Sequence, residues 1–281
     1  IPDQRRTVKY LSLQDDWQLA NDLTLTAGLR YDDYSDFGNT INPRVALVWQ
    51  TRHNLTTKLL YGSAFRAPSF AELSAINNPA TLGNPDIKPE EVETYEFVVD
   101  YRITPESKLV VNLYDYKATD LIITIADAAP ATTKTYQNVR NQNGKGVEIE
   151  FNWQITNDIS WDSSFSYQNI EDPNTGAKIA DIPTKQFYTD LRVKVSQNIK
   201  ITTQINHVMD RKRALGDTRN ELDDFTLAHL TVIYNVNNDL SVRVSAKNLF
   251  DKNHFEGTDG RIADDLPMEG RSIYGMLDYK F

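Results

Sequence analysis

The chain has 281 residues and no cysteine, is 40% hydrophobic, and carries a formal net charge of −9. No uncharged apolar run approaches the roughly 18 residues that a transmembrane helix needs, and the acidic balance argues against nucleic acid as the main partner. A transmembrane β-barrel stays open, because only every second residue of each strand faces lipid and the overall hydropathy then looks soluble.

Side-chain alternation predicts thirteen strands, at approximately Thr7–Leu19, Leu23–Ser35, Ile41–Thr51, Leu55–Arg66, Glu90–Arg102, Lys108–Thr124, Thr135–Ile155, Ile159–Ile170, Lys185–Gln197, Ile199–Arg213, Asp224–Val236, Leu240–Phe250 and Arg271–Phe281. In the second, Leu23, Leu25, Ala27, Leu29 and Tyr31 alternate with Thr24, Thr26, Gly28, Arg30 and Asp32. In the seventh, Val147, Ile149, Phe151, Trp153 and Ile155 alternate with Glu148, Glu150, Asn152 and Gln154. A side-chain period of two gives each strand one greasy face and one wet face. The wet face is strongly charged, with Glu148, Glu150, Asp190, Arg192, Lys194, Arg243, Lys247, Asp278 and Lys280.

The connections alternate in length. Ala20-Asn21-Asp22, Arg52-His53-Asn54, Thr156-Asn157-Asp158 and Asn237-Asn238-Asp239 are short and rich in Asn and Asp, as tight hairpins demand. Ala67–Pro89, Ile125–Lys134, Glu171–Thr184, Ala214–Asp223 and Asp251–Gly270 are long. Short turns at one end and long loops at the other describe an outer-membrane barrel with a periplasmic and an extracellular end. Trp17, Trp49 and Trp153 lie just before short turns and Trp161 just after one, so all four are expected in the periplasmic aromatic girdle, together with Tyr279 and Phe281. Thirteen is odd, whereas single-chain bacterial barrels have even counts. With Ile1 opening at once on a strand pattern, the expectation is that part of the barrel precedes residue 1.

Two segments carry a resemblance. Tyr61-Gly62-Ser63-Ala64-Phe65-Arg66-Ala67-Pro68-Ser69-Phe70 contains a "FRAP" step, and Gly83-Asn84-Pro85-Asp86-Ile87-Lys88-Pro89-Glu90 is similar to an "NPxLxPE" step with Ile87 in place of Leu. Gly144-Lys145-Gly146-Val147-Glu148 looks like a "GxGVE" step, and Asn248-Leu249-Phe250-Asp251-Lys252-Asn253 looks like an "NLFDKxY" box with His254 in place of Tyr. In this order and spacing the motifs resemble those of the TonB-dependent receptors, the plugged transporters of the bacterial outer membrane. The resemblance implies an all-β, antiparallel transmembrane barrel of about 22 strands. Residues 1–281 would supply about the last 13, and the plug and TonB box would lie upstream. It also implies that terminal Phe281 is read by the barrel-assembly machinery.

No catalytic constellation stands out, and no enzyme activity or cofactor is expected. Haem carriers of this family place a His between the "FRAP" and "NPxL" segments, and Ala67–Gly83 contains none. A ferric siderophore is anionic, so its receptor needs cations and aromatics at the extracellular mouth. The ligand-binding candidates are Tyr34, Phe37, Arg66, Phe70, Tyr136, Arg140, Arg213, Arg261 and Arg271. Arg211-Lys212-Arg213 reads either as capture of an anionic ligand or lipopolysaccharide phosphate, or as a membrane-interface anchor. The expected partners are outer-membrane lipid and lipopolysaccharide, TonB through the upstream plug, and a ligand such as a ferric siderophore. Cobalamin and haem follow as ligands, and a passive porin is the alternative class.

Overall fold

The computed structural model describes residues 3–180, 182–258 and 263–281. The elements run β1 (Val8–Ala20), β2 (Leu23–Tyr34), β3 (Gly38–Arg52), β4 (Leu55–Arg66), α1 (Phe70–Ser74), β5 (Thr81–Leu82), β6 (Glu90–Thr104), β7 (Ser107–Ala126), β8 (Lys134–Thr156), β9 (Ile159–Glu171), β10 (Pro183–Lys194), β11 (Ile199–Arg211), β12 (Phe225–Asn235), β13 (Leu240–Lys247), β14 (Phe255–Glu256), β15 (Leu266–Pro267) and β16 (Ser272–Tyr279). The long strands follow chain order, β1-β2-β3-β4-β6-β7-β8-β9-β10-β11-β12-β13-β16, with β5 pairing parallel to β8 and β14 with β15. Successive long strands are neighbours in chain order, joined by short turns and by long connections, so the sheet is an antiparallel meander. The chain divides into two compact units, one of Ile1–Val98, Tyr114–Lys145 and Ile170–Gly176, the other of Val99–Leu113, Gly146–Asn169 and Ala177–Phe281.

All thirteen predicted strands are present, with shifts at several ends. The predicted Leu240–Phe250 strand stops at Lys247, because Asn248 turns to φ 46° and Asp251 to φ 55°. Buried Asn248 locks that turn, its amide donating to Lys252 O and its Oδ1 accepting Lys252 N. The predicted Lys185–Gln197 strand stops at Lys194, where Val195 N reaches Ile199 O at 2.9 Å and Ser196 Oγ accepts Asn198 N and Ile199 N. Sequence alternation misses α1, β5, β14 and β15, which fold inside long connections. α1 is only five residues long and starts on a capping box between Ser69 and Glu72.

In the first unit, the register stacks Leu13, Leu29 and Pro43 across β1–β3, and Leu25, Leu47 and Leu59 across β2–β4. The opposite face carries Gln14, Gly28, Arg44 and Gly62, and one step along it Ser12, Arg30 and Asn42. In the second unit, Trp161, Leu191, Thr203, Leu230, Ala246 and Ile273 share one face, and Asp162, Asp190, Gln204 and His229 the other.

Many apolar strand side chains are exposed. Leu11 and Leu13 are 73% and 76% exposed, and Ile273 and Leu277 are 69% and 72%. Polar strand side chains pair with one another: Arg30 pairs with fully buried Asp32 at 2.6 Å, and Arg192 reaches Asp162 at 2.8 Å and Asp190 at 2.7 Å. Buried apolar side chains are few and lie mostly by the long loops, with Leu73, Ala75 and Ile87 in the first unit and Val208, Leu222 and Phe225 in the second. Leaving each such strand leucine in water would cost about 2 kcal/mol. Exposed strand leucines and isoleucines of this kind suit contact with hydrocarbon.

Candidate functional site

In the first unit the two resemblance-bearing segments lock together at the loop end. Arg66 closes β4 and Glu90 opens β6, which are neighbours in strand order. Arg66 Nε donates to Glu90 Oε2 at 2.6 Å and Nη2 to Oε1 at 2.7 Å, while Nη1 and Nη2 reach Glu72 at 3.1 and 3.0 Å. Glu90 Oε1 also accepts Ile122 N at 2.8 Å. Burial pushes the Glu72 carboxyl up, but the bonds from Arg66 and Ser69 outweigh it and hold the group below the usual carboxylate range.

The "NPxL" stretch folds onto the same loop. Gly83 N and Asn84 N donate to Ala75 O and Glu72 O, both at 2.8 Å. A Cβ on Gly83 would lie 2.4 Å from Ala75 N, so the backbones touch here because glycine has no side chain. Asn84 Nδ2 donates to Tyr136 O at 3.2 Å, and Asn138 Oδ1 accepts Lys88 N at 2.8 Å. Ile87 is buried at 2% exposure, so its side chain plugs the fold of the loop.

Beside this lattice the structure brings three of the expected ligand residues together. Tyr34 and Phe37 stack at 4.4 Å, and Phe65 meets Tyr34 edge-on at 5.8 Å. The Arg6 guanidinium lies 5.6, 5.2 and 5.0 Å from the ring centres of Tyr34, Phe37 and Phe70. Arg6 and Phe65 escape sequence reasoning, since nothing local says that residue 6 meets residue 68. Arg66 adjoins the cluster in sequence but is already engaged with two carboxylates. Tyr136 is half-buried in β8, and Arg140 is exposed on the same strand.

In the second unit the basic run Arg211-Lys212-Arg213 is split. Arg211 is 3% exposed, lies 4.8 Å over the Phe225 ring, and donates to Phe255 O at 2.8 Å and Asp223 O at 3.0 Å. That burial takes Arg211 out of both expected roles, as capture cation and as interface anchor. Lys212 stays half-exposed, 3.7 Å from Glu221. Arg213 grips Asp265 with two bonds of 2.8 and 2.6 Å. Arg219 binds Asp217 in the same forked way and reaches Asp265 at 3.3 Å and Thr258 O at 2.9 Å. The Arg219 guanidinium holds the Asp217 carboxyl down to about 2. A cleft of about 270 Å³ lies here, walled in part by Arg211, Arg213, Phe225, His254 and Asp265.

Arg271 is exposed, and its backbone N–H donates to Asp251 at 2.8 Å. Arg261 lies outside the described residues. His229 Nδ1 accepts Asn248 N at 3.1 Å, and His254 packs 4.8 Å from Phe225. Among the described residues, no group of three His, Cys, Asp or Glu side chains is arranged to hold a metal ion.

The expected girdle aromatics stand beside short turns within each unit. Trp17 pairs with Leu25 and Trp49 with Leu23, and Trp49 Nε1 donates to Asp22 in the adjoining turn at 3.0 Å. Trp153 and Trp161 are 6.5 Å apart, with Phe151 edge-on to Trp161 at 5.4 Å. Tyr279 and Phe281 make a T-shaped pair at 5.0 Å.

An antiparallel meander with exposed apolar strand side chains, short turns and long folded loops defines a transmembrane β-barrel of the bacterial outer membrane. Residues 1–249 match the family model described as "TonB dependent receptor-like, beta-barrel", and the chain belongs to that family. It is 26% identical over 286 residues to the vitamin B12 transporter BtuB of Vibrio cholerae, covering 99% of this chain and 43% of that protein. It is 24% identical to the iron-regulated outer membrane virulence protein of the same species, over 96% of this chain and 44% of that one. Among solved structures, the siderophore receptor PirA from Acinetobacter baumannii matches with a TM-score of 0.81 at 18% identity, covering 98% of this chain and 46% of that one. A ferric enterobactin receptor (PfeA) mutant from Pseudomonas aeruginosa, in complex with enterobactin, matches with a TM-score of 0.84 at 18% identity, over 98% and 46% of the two chains. The chain thus spans less than half the length of the relatives it matches.

Proposed function

We propose that this chain is the barrel portion of a receptor that imports a scarce, bulky ligand across the outer membrane, with energy from TonB delivered through a plug domain. The observation that carries the reading is the interlocked "FRAP" and "NPxL" loop. Arg66, Glu72 and Glu90 hold a folded extracellular structure beside a cation-bearing aromatic cluster, which is a surface suited to ligand capture rather than an open pore rim. A ferric siderophore is the first ligand reading, supported by the exposed Arg140 and Arg271 and the ring cluster at Tyr34, Phe37 and Phe70. Cobalamin is the second reading, favoured by the likeness to a vitamin B12 transporter over 99% of the chain.

The deciding experiment is growth of a strain lacking the gene, under iron limitation or cobalamin dependence, with single siderophores, haem or cobalamin supplied. Loss of growth on one siderophore is expected, restored by the full-length gene. Loss on cobalamin alone would transfer the assignment to the second reading. A large steady conductance of the full-length protein in a planar bilayer would defeat active transport and favour a porin.

A further inference from the structure

Arg6 lies just before β1, and its guanidinium is occupied on nearly every side. Nε donates to both oxygens of Asp36 at 3.1 and 2.8 Å, and Nη2 donates to Pro68 O at 2.6 Å. The rings of Tyr34, Phe37 and Phe70 stand around it, the farthest centroid 5.6 Å away. The Arg6 and Asp36 side chains are only 19% and 21% exposed, and Pro68 is fully buried. One cation therefore joins three separate stretches: the segment ahead of β1, the β2–β3 turn and the loop after β4. Tyr34, Phe37 and Phe70 are half-buried, so each keeps ring surface open.

The planar fork is what makes this possible. It offers in-plane donors to a carboxylate and a carbonyl while its faces stay free for aromatic rings, which the point charge of an ammonium cannot do at once. We infer that Arg6 is a positioning residue of the extracellular mouth: it holds Tyr34, Phe37 and Phe70 as one preformed platform against which the flat or apolar part of an incoming ligand stacks. The inference rests on the receptor reading, and it goes further by naming what orders the surface. A platform ordered beforehand raises affinity because its side chains need not be immobilised on binding.

The test uses the full-length receptor in outer-membrane vesicles. In hydrogen exchange, Arg6→Ala is expected to raise exchange both at residues 35–37 and at residues 67–75, with Asp36→Asn reproducing the change. Unchanged exchange at residues 67–75 in both variants would overturn the clamp. In uptake assays with radiolabelled ferric catecholate, ferric hydroxamate and cobalamin, KM for the accepted probe is expected to rise about tenfold in Arg6→Ala, with maximal rate within about twofold of wild type. Arg6→Lys should recover part of that loss and Arg6→Met none. A merely structural role would instead lower the amount of receptor, and hence the maximal rate, at constant KM. Normal KM alongside raised exchange would overturn the platform. If wild type takes up none of the probes, the transport reading fails, while the exchange result still decides whether Arg6 ties the loops.

Discussion

Arg66 and Glu90 share two hydrogen bonds of 2.6 and 2.7 Å, joining the last residue of β4 to the first residue of β6 across a connection of 23 residues, 67–89. The same guanidinium also grips Glu72 inside that connection. The pair explains why a "FRAP" step and a "PE" step occur together: one supplies the fork and the other the carboxylate that closes the loop.

Removing the fork should therefore loosen the loop without unfolding the sheet. In Arg66→Ala, Glu90 and Glu72 lose their partner while their side chains stay only 17% and 13% exposed. Arg66 itself is half-exposed, so solvent screening limits the cost to about 1–2 kcal/mol. Amide exchange across residues 67–89 should quicken about tenfold, since about 1.4 kcal/mol is a factor of ten. Arg66→Lys should restore part of the protection, because an ammonium cannot fork. Protection equal to wild type in the alanine variant would show that the pair does not hold the loop.

Two glycines separate steric need from mere presence. A Cβ at position 83 would lie 2.4, 2.7 and 2.9 Å from backbone atoms of Ala75, Ser74 and Leu73, whereas a Cβ at position 62 meets nothing within 4 Å. Gly83→Ala should cost about 1–3 kcal/mol by forcing the two backbones apart. Gly62→Ala should be neutral or slightly stabilising. Amide exchange at residues 67–89 of the full-length receptor in vesicles reads the difference: faster in Gly83→Ala, unchanged in Gly62→Ala.

The strands were legible because each alternates visibly: Val147 to Ile155 declares its two faces, and β8 holds them. The loop elements were not, because α1 is a five-residue helix started by the Ser69–Glu72 capping box, too short for any period to show, and β5 exists only through its pairing with β8. The site was half legible. Tyr34, Phe37 and Phe70 follow from residue type and height in the barrel, but Arg6 enters through bonds to positions 36 and 68, which only the fold brings near. Residue type also misleads over charge. Arg66 and Arg213 look like capture cations in sequence, yet in the structure Arg66 is held by Glu72 and Glu90, and Arg213 by Asp265, which Arg219 shares.

Acid should release the loop pair in the second unit. The folded pKa of Asp217 is held at about 2 by Arg219, below its ordinary value of 3.8, and Asp265 is likewise lowered, first by its bond to Arg213. A depressed carboxylate contributes stability above its unfolded pKa and loses it as pH falls toward the folded value, because the unfolded state binds more protons. The network should stay intact from neutral pH to about pH 4 and weaken between about pH 4 and pH 2. Exchange or proteolysis at residues 212–224, followed against pH, should show that window. Asp217→Asn should flatten it, and high salt should loosen the loop at neutral pH. A transition centred near pH 6 would point to histidine and away from this pair.

The girdle makes the last prediction, and it tests the orientation of the barrel. Trp17 and Trp49 lie beside short turns in one unit, and Trp153 and Trp161 do so in the other. An indole at the membrane interface keeps its N–H near polar partners and its ring in the acyl boundary. Trp49 meets this with a 3.0 Å bond to Asp22, and Trp161 with a 2.7 Å bond to Thr189. With the full-length receptor in vesicles, variants retaining one of these four tryptophans should be quenched more by lipids brominated near the headgroup than by lipids brominated near the chain end. Strongest quenching at the chain end for Trp17 or Trp161 would place those residues mid-membrane and shift the whole strand register by several residues. Comparable quenching depth for all four would show that the β1–β2, β3–β4 and β8–β9 turns belong to the same face of the membrane.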